Sequence, residues 1–401
     1  MLIVQKYGGT SVGTLERIGA VADRVKKTAD QGHQVVVVVS AMSGETNKLI
    51  EMAHYYSKVP ATREMDMLMS SGERVTCALL AIALTELGNP AVALTGRQAG
   101  IVTDSVHTKA RIMEIPEAPV MNHIKAGKIV VIAGFQGITP EGDVTTLGRG
   151  GSDLTAVAIA GAIKADLCEI YTDVDGVYTT DPRIEKKAKK LERISYDEML
   201  ELASLGAKVL QNRSVELAKK LGVKVVTRNS FNENEGTLIT NEEDCMEKPI
   251  VSGIALDNNQ ARVSLIGIAD RPGIAAEIFG ALAKATINVD MIVQTVGHDG
   301  KANLDFTVPS TELELTRRTL AAFPHDLGKQ EFDDNITKVS IVGVGMKSHS
   351  GVASRMFAAL AKENINILMI STSEIKISVA IDKKYGELAV RTLHAAYELD
   401  K

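Results

Sequence analysis

The sequence predicts an α/β protein in two parts: a mainly parallel sheet covered by helices, then two copies of a small α/β module. Three observations carry this. Short β-branched runs alternate with helix-period segments from residue 1 to about residue 230. A polar, turn-rich stretch follows, NSFNENEGTLITNEEDCMEKP at 229–249, which reads as a domain boundary. Beyond it ALAKATINVDMI (from Ala281) recurs as ALAKENINILMI (from Ala359), an offset of 359 − 281 = 78 residues with eight of twelve positions identical.

In the first part LIVQ, VVVVVS (Val35 to Ser40), AVALTG (Ala91 to Gly96), KIVVIAG (Lys128 to Gly134) and KVVTRN (Lys224 to Asn229) read as buried strands. Their near-continuous apolar character marks a parallel sheet covered on both faces. Helices lie between them, among them the stretch with Leu15, Ile18, Val21 and Val25, and CALLAIALTELG from Cys77 to Gly88. In such sheets ligands sit beyond the carboxyl ends of the strands. The loops there are rich in Gly, Ser and Thr. Around each copy of the repeat the order is strand, glycine turn (Gly273, Gly351), helix, strand. Each module is small enough to need its twin, and the shared interface makes a natural small-ligand site.

Composition bounds the function. The chain has 401 residues, 45% hydrophobic and 24% charged, ample for two or three domains with real cores. A net charge of −5 argues against general binding to nucleic acid or anionic membranes. Cys77, Cys168 and Cys245 are too widely spaced for a disulfide framework or a metal cluster. No signal peptide is expected at the start, and no apolar run is expected to span a membrane. The expectation is a soluble cytoplasmic protein.

Five stretches carry candidate chemistry. KYGGTSVG follows the first strand with Lys6, Tyr7, Gly8 and Gly9, and SAMSGETN offers Ser40 and Thr46. SSGERV opens a helix with Glu73 in its first turn, and TTLGRGGSD supplies Arg149, Gly150, Gly151, Ser152 and Asp153. YTDVDGVYTTDPR carries Thr172, Asp173, Tyr178, Asp181, Pro182 and Arg183. Each alone fits an ordinary structural role: a tight turn for the glycines, a capping box for Ser70 with Glu73, N-cap chemistry for Ser152 and Asp153. Lys208 fits a solvated helix lysine equally well. Together, glycine turns at helix starts beside lysines point to a phosphate ligand. No GxxxxGK[ST] and no GxGxxG after the first strand is found, so neither a Walker-type NTPase nor a dinucleotide-binding dehydrogenase is supported.

These five stretches, in this order and spacing, resemble the monofunctional aspartate kinases of bacteria, which have the amino-acid kinase fold. The tail resembles their tandem ACT regulatory modules, of βαββαβ type, and the resemblance spans the chain. It implies a catalytic domain over 1–235 and ACT domains over 250–328 and 329–401, with the strand near Val251 to Ala255 a candidate for sharing with the second. It implies phosphoryl transfer from ATP to the β-carboxylate of L-aspartate, the first step toward lysine, threonine and methionine. A carboxylate is already ionised at neutral pH, so no general base is needed and the enzyme must align and neutralise two anions.

Carried over by the same resemblance, Lys6 and Asp153 are catalytic. ATP is held by Lys6, Tyr7, Gly8, Gly9, Ser40, Thr172, Asp173, Tyr178, Asp181, Pro182, Arg183 and Lys208. Aspartate is held by Thr46, Glu73, Arg149, Gly150, Gly151 and Ser152, with Glu73 on its α-ammonium and Arg149 on a carboxylate. Mg²⁺ rides on the phosphates through nucleotide and water. An inhibitory lysine, threonine or both binds at Asp270, Pro272, Gly273, Ile274, Ala275, Asn288, Val289, Asp290 and Gln294, closed by Asn364, Asn366 and Ile367. In the second copy HSG replaces RPG, so two identical effector sites are not expected. Self-association through the ACT modules is implied, as a homodimer or with a shorter subunit started at Met246. A kinase of the same fold acting on glutamate, acetylglutamate or carbamate, and a silent amino-acid sensor, are the competing readings.

Overall fold

The computed structural model describes residues 1–205, 209–242, 250–297 and 300–401. Two compact units emerge. The first holds most of the chain up to residue 242, and the second holds the chain from residue 250 on. Tyr178–Lys189 also groups with the second unit, which a linear boundary near 235 does not anticipate.

In the first unit the elements alternate as the apolar runs require. They are β1 (Leu2–Tyr7), α1 (Leu15–Asp30), β2 (Gln34–Val39), α2 (Glu45–Tyr56), α3 (Thr62–Met69), α4 (Ser71–Glu86), β3 (Ala91–Leu94), β4 (Val102–Thr103) and β5 (Ile112–Glu114). There follow α5 (Ala118–Lys125), β6 (Ile129–Ala133), β7 (Gln136–Ile138), β8 (Val144–Thr146), α6 (Gly151–Ala162), β9 (Leu167–Thr172), β10 (Arg193–Ser195), α7 (Tyr196–Ser204), α8 (Asn212–Leu221), β11 (Val225–Asn229) and β12 (Thr237–Thr240). Among the described residues, eight strands form one sheet in the order β10-β12-β11-β9-β1-β2-β6-β3. Its central pairs are parallel, Lys6 lying opposite Val38 on one side and Ile170 on the other. Among the described residues only β12 against β11 runs antiparallel in this sheet. A smaller sheet, β5-β4-β7-β8, stands apart.

The two faces are covered differently. On one, α1 presents Ile18, Val21, Ala22 and Val25, and α4 presents Cys77, Leu80, Ala81 and Leu84. Leu15 departs from this pattern and is exposed, because it opens α1 ahead of the sheet-facing stripe. On the other face α6 is buried from Gly151 through Ala160, all round its circumference, as a helix through a core must be. Each large aliphatic it buries contributes about 1.5–3 kcal/mol.

Thr62–Glu86, which joins α3 and α4, is long and apolar enough to cross a membrane by length and composition alone, contrary to the sequence expectation. It buries Asp66 and Glu73 and packs its apolar side into the core, which marks an interior helix.

The second unit has β13 (Gly253–Ala269), α9 (Ile274–Lys284), β14 (Ile292–Val296), β15 (Lys301–Val308), α10 (Leu313–Ala321), β16 (Lys329–Val342), α11 (Val352–Lys362), β17 (Ile367–Thr372), β18 (Lys376–Asp382) and α12 (Gly386–Ala396). They form a sheet in the order β14-β15-β13-β16-β18-β17. The long β13 serves both modules. Its first residues pair only with β16, Gly253 opposite Val342, while Ala261–Ala269 also pairs with β15. Val251 and Ile254 accordingly belong to the second module's core with Met356, Leu360 and Leu393.

The repeat is kept in three dimensions. Gly273 (φ +93) and Gly351 (φ +88) are left-handed N-caps of α9 and α11, a conformation glycine adopts without strain. Thr286 and Asn364 are left-handed at the two helix ends, each followed by an isoleucine N–H bonding back to a leucine carbonyl. The edge strands β14 and β17 approach each other, and Met291 and Val293 pack with Leu368 and Met369 in a cluster of their own.

Within this unit Tyr178–Lys189 is tied down by named contacts. Ile254 N donates to Thr179 O (2.8 Å), Thr179 Oγ1 pairs with His394 Nε2 (2.9 Å), and Ile184 packs on the second module's core.

Candidate active site

The site forms where β1, β2, β6 and β9 end side by side. Ser40 N donates to Tyr7 O, Gly134 N to Val39 O, and Gly8 N to Tyr171 O. These bonds set three loops and the Gly134 corner along one edge of the sheet. Among the described residues the N–H groups of Gly9 and Thr10 find no intramolecular acceptor, so they are available to an anion. A Cβ on Gly9 would stand 3.0 Å from Ala41 O, so the two glycine loops approach more closely than a side chain allows.

Lys6 ends on the face opposite Tyr7. Its Nζ lies 2.6 Å from Asp153 Oδ1, both side chains being about nine-tenths buried. Asp153 is in the first turn of α6, where the helix dipole also favours its negative charge. A Cβ on Gly134 would lie 2.8 Å from Ser152 Oγ, so β6 delivers its end directly against the start of α6. The cap of α6 is Gly150, left-handed at φ +71, and not Ser152 or Asp153, which frees both side chains from capping.

Glu73 is likewise released from the capping role its spacing suggested. Ser70 bonds back to Met67 O, and Glu73 Oε1 accepts from Ala41 N at 3.2 Å. Glu73 Oε2 is buried without a hydrogen-bond partner among the described residues. Burial pushes the carboxyl group up to about 7, against the pull of backbone donors. A buried carboxylate with an empty oxygen is what a substrate ammonium would complete. Thr46 is in the first turn of α2, after the left-handed Gly44, and Gly72 brings α4 against that turn through Glu45.

Lys6, Gly8, Gly9, Ser40, Gly151, Ser152 and Asp153 are therefore brought to one edge, with Glu73 reaching it through Ala41. Arg149 is exposed just ahead of Gly150, with no side-chain partner among the described residues. Thr172 closes the β9 side, its carbonyl accepting from Ser230 N and its hydroxyl donating to Asp173. The Tyr7 ring is fully buried, stacked on Tyr171 at 4.7 Å, and its hydroxyl donates to Gln5, so its side chain builds the core. Asp181 and Arg183 belong to the second unit and pair with each other at 2.7 Å, which holds the Asp181 carboxyl below its usual range. Lys208 and Met246 lie outside the described residues.

Sequence reasoning missed Asp66. It is fully buried and accepts from Thr146 Oγ1 (2.5 Å), Thr108 N (2.9 Å) and His107 Nδ1 (2.8 Å), holding the chain just before LGRGG. Its partners are 41 to 80 residues away, so no local pattern announces it.

In the second unit Asp270, Pro272 and Gly273 are exposed at the turn before α9, and Gln294 is exposed on β14. The Ile274 side chain is buried in the first module's core. Asn364 is exposed and serves as the left-handed end of α11. Asp290 pairs with the buried Lys338.

Residues 1–229 match the amino acid kinase family, and residues 263–322 and 339–397 match an ACT domain. The aspartokinase of Helicobacter pylori (strain J99) is 65% identical over 405 residues, covering all of both chains. The chain belongs to the aspartokinase family. It is an ATP-dependent phosphotransferase with a carboxyl group as acceptor, an amino acid kinase domain followed by tandem ACT domains. E. coli aspartokinase III in complex with aspartate and ADP (R-state) has TM-score 0.80 at 27% identity, with 99% of each chain covered. The same enzyme in complex with lysine and aspartate (T-state) gives 0.77 at 26%, covering 98% of this chain and 99% of the other.

Proposed function

We propose that this aspartokinase converts ATP and L-aspartate to ADP and 4-phospho-L-aspartate, opening the route to lysine, threonine and methionine, under feedback by lysine, threonine or both. An oxygen of the β-carboxylate attacks the γ-phosphorus, the bond to the β,γ-bridging oxygen breaks, and ADP leaves with that electron pair. No proton is transferred, so the protein's task is positioning and charge neutralisation. Lys6, held by Asp153, and the free N–H groups of the Gly9–Thr10 turn would hold the phosphoryl group in transfer. Glu73 would hold the ammonium of aspartate and Arg149 a carboxylate, with Ser152 hydrogen-bonding the substrate and Thr46 against it. Mg²⁺, carried on the phosphates, would supply further neutralisation of their charge.

The observation that carries this reading is the buried Glu73 carboxylate with one oxygen unpartnered, at the same strand edge as the Lys6–Asp153 pair. The E. coli complexes with aspartate and ADP, and with lysine and aspartate, support the choice of ligands. The effector would bind where β14 and β17 approach, beside Asp270, Asn288, Asp290, Gln294 and Asn366. It inhibits only by favouring an inactive conformation over the active one. The reading includes self-association through the ACT modules and a cytoplasmic location.

The test is acyl phosphate trapped as the hydroxamate with Mg-ATP and aspartate, glutamate or acetylglutamate, then with lysine, threonine and both. Turnover confined to aspartate and suppressed by either or both amino acids is expected. Turnover on another acid overturns the substrate, indifference to both amino acids overturns the regulation, and no turnover on any acid favours a silent sensor.

A further inference from the structure

The turn that carries Arg149 is gripped from behind by α8. Arg213 Nη1 donates to Leu147 O at 2.7 Å, and its Nη2 donates to Ala110 O at 3.0 Å. Two residues earlier, Gln211 Nε2 donates to Arg149 O at 3.1 Å. A Cβ on Gly150 would lie 2.5 Å from Gln211 Cγ, so α8 begins flush against the turn. Ala110 N in turn donates to Thr146 O (2.9 Å), and Asp66 holds Thr146 and Thr108 from the other side. The Arg213 guanidinium thus bridges two chain segments whose carbonyls it holds at the spacing of its own planar fork, which an ammonium has no means to copy.

The Arg149 side chain, by contrast, is exposed and has no partner among the described residues to orient it. The turn its backbone belongs to is held by Gln211 at the Arg149 carbonyl and by Arg213 at the Leu147 carbonyl. We propose that Arg213 is a positioning residue for aspartate binding: through the carbonyls of Leu147 and Ala110 it holds the turn that aims Arg149 at the substrate carboxylate. This rests on Arg149 being the carboxylate clamp of the proposed function.

The experiment compares steady-state constants of Arg149→Ala, Arg213→Met, Arg213→Lys and the double variant Arg149→Ala/Arg213→Met on the full chain, with folding checked by circular dichroism. A loosened clamp raises the aspartate KM about tenfold in Arg213→Met, with the ATP KM within about twofold and Arg213→Lys in between. Because Arg213 acts through Arg149, the double variant binds aspartate no worse than Arg149→Ala alone. A folded Arg213→Met with unchanged aspartate KM, or losses that multiply in the double variant, overturns the positioning role while leaving the clamp standing. An unchanged aspartate KM in Arg149→Ala overturns clamp and positioning together. Should Arg213→Met fail to fold, Arg213→Lys carries the same comparison, alone and with Arg149→Ala.

Discussion

Lys6 and Asp153 meet at 2.6 Å across 147 residues of chain (153 − 6), the lysine at the end of a central parallel strand and the carboxylate in the first turn of the most buried helix. Among the described residues each is the other's charge partner, so replacing either leaves the other buried without its counter-charge. Lys6→Ala is expected to lower kcat by on the order of 100-fold or more, with smaller changes in both KM values. Steady-state kinetics on protein shown to be folded checks this. A near-normal kcat would refute the role of Lys6.

Glu73 links activity to pH. Burial lifts its carboxyl group to about 7, so aspartate, which needs the ionised form, is expected to bind more weakly as pH falls below that value. Glu73→Gln should show a raised aspartate KM that no longer changes across this range. Profiles of aspartate KM from pH 6 to 8.5 for the two proteins decide the matter.

The same group makes a stability prediction of opposite slope. The folded state binds this proton more tightly than the unfolded chain does. Its contribution is therefore greatest below the ordinary glutamate range and is lost as pH rises toward about 7. The loss is on the order of 3 kcal/mol. Glu73→Gln should be more stable than the native protein at pH 8, with the advantage shrinking toward pH 5. Urea unfolding at the two pH values measures it, and an advantage independent of pH counts against the shift.

Gly134 has no room for a methyl group. A Cβ there would meet Ser152 Oγ at 2.8 Å, Ser152 Cβ at 2.9 Å and Val38 Cγ1 at 3.0 Å. Gly134→Ala is expected to cost about 1–3 kcal/mol by overpacking and to raise the aspartate KM by displacing Ser152. Gly44→Ala, where a Cβ meets nothing within 4 Å but φ is +84, should lose stability from backbone strain alone. Denaturant midpoints and aspartate KM for the pair separate crowding from strain.

In the ACT unit Lys338 is buried and pairs with the half-exposed Asp290, one of the residues proposed to meet the effector. Lys338→Met keeps the buried stem and releases Asp290. The concentration of lysine or threonine giving half inhibition should shift by about tenfold while uninhibited kcat stays within about twofold. An unchanged inhibition curve argues that Asp290 does not contact the effector.

Much of this was legible in the chain. The runs VVVVV and IVVIA had to become buried parallel strands, because only a sheet covered on both faces hides two apolar sides at once. The repeat at Ala281 and Ala359 announced twin modules, and even the left-handed ends of their helices at Thr286 and Asn364 fall at matched positions. Glycine turns beside Lys6 pointed to a candidate anion site, where among the described residues the Gly9 and Thr10 N–H groups have no intramolecular acceptor.

What only the tertiary structure decided is what depends on neighbours distant in sequence. Spacing made Glu73 a candidate cap for its helix, and the packing of Ala41 against Gly72 gave its carboxylate a different donor. Tyr7 sits beside Lys6 in a strand, and alternation turned it into the core to stack on Tyr171. Tyr178–Lys189 lies inside the kinase part of the sequence but groups with the ACT unit. Asp66 and Arg213 had no local signal, since their partners arrive from 41 to 103 residues away. Periodicity and turn chemistry are local and determined the elements; burial, charge pairing and the aim of each side chain are properties of the assembled sheet.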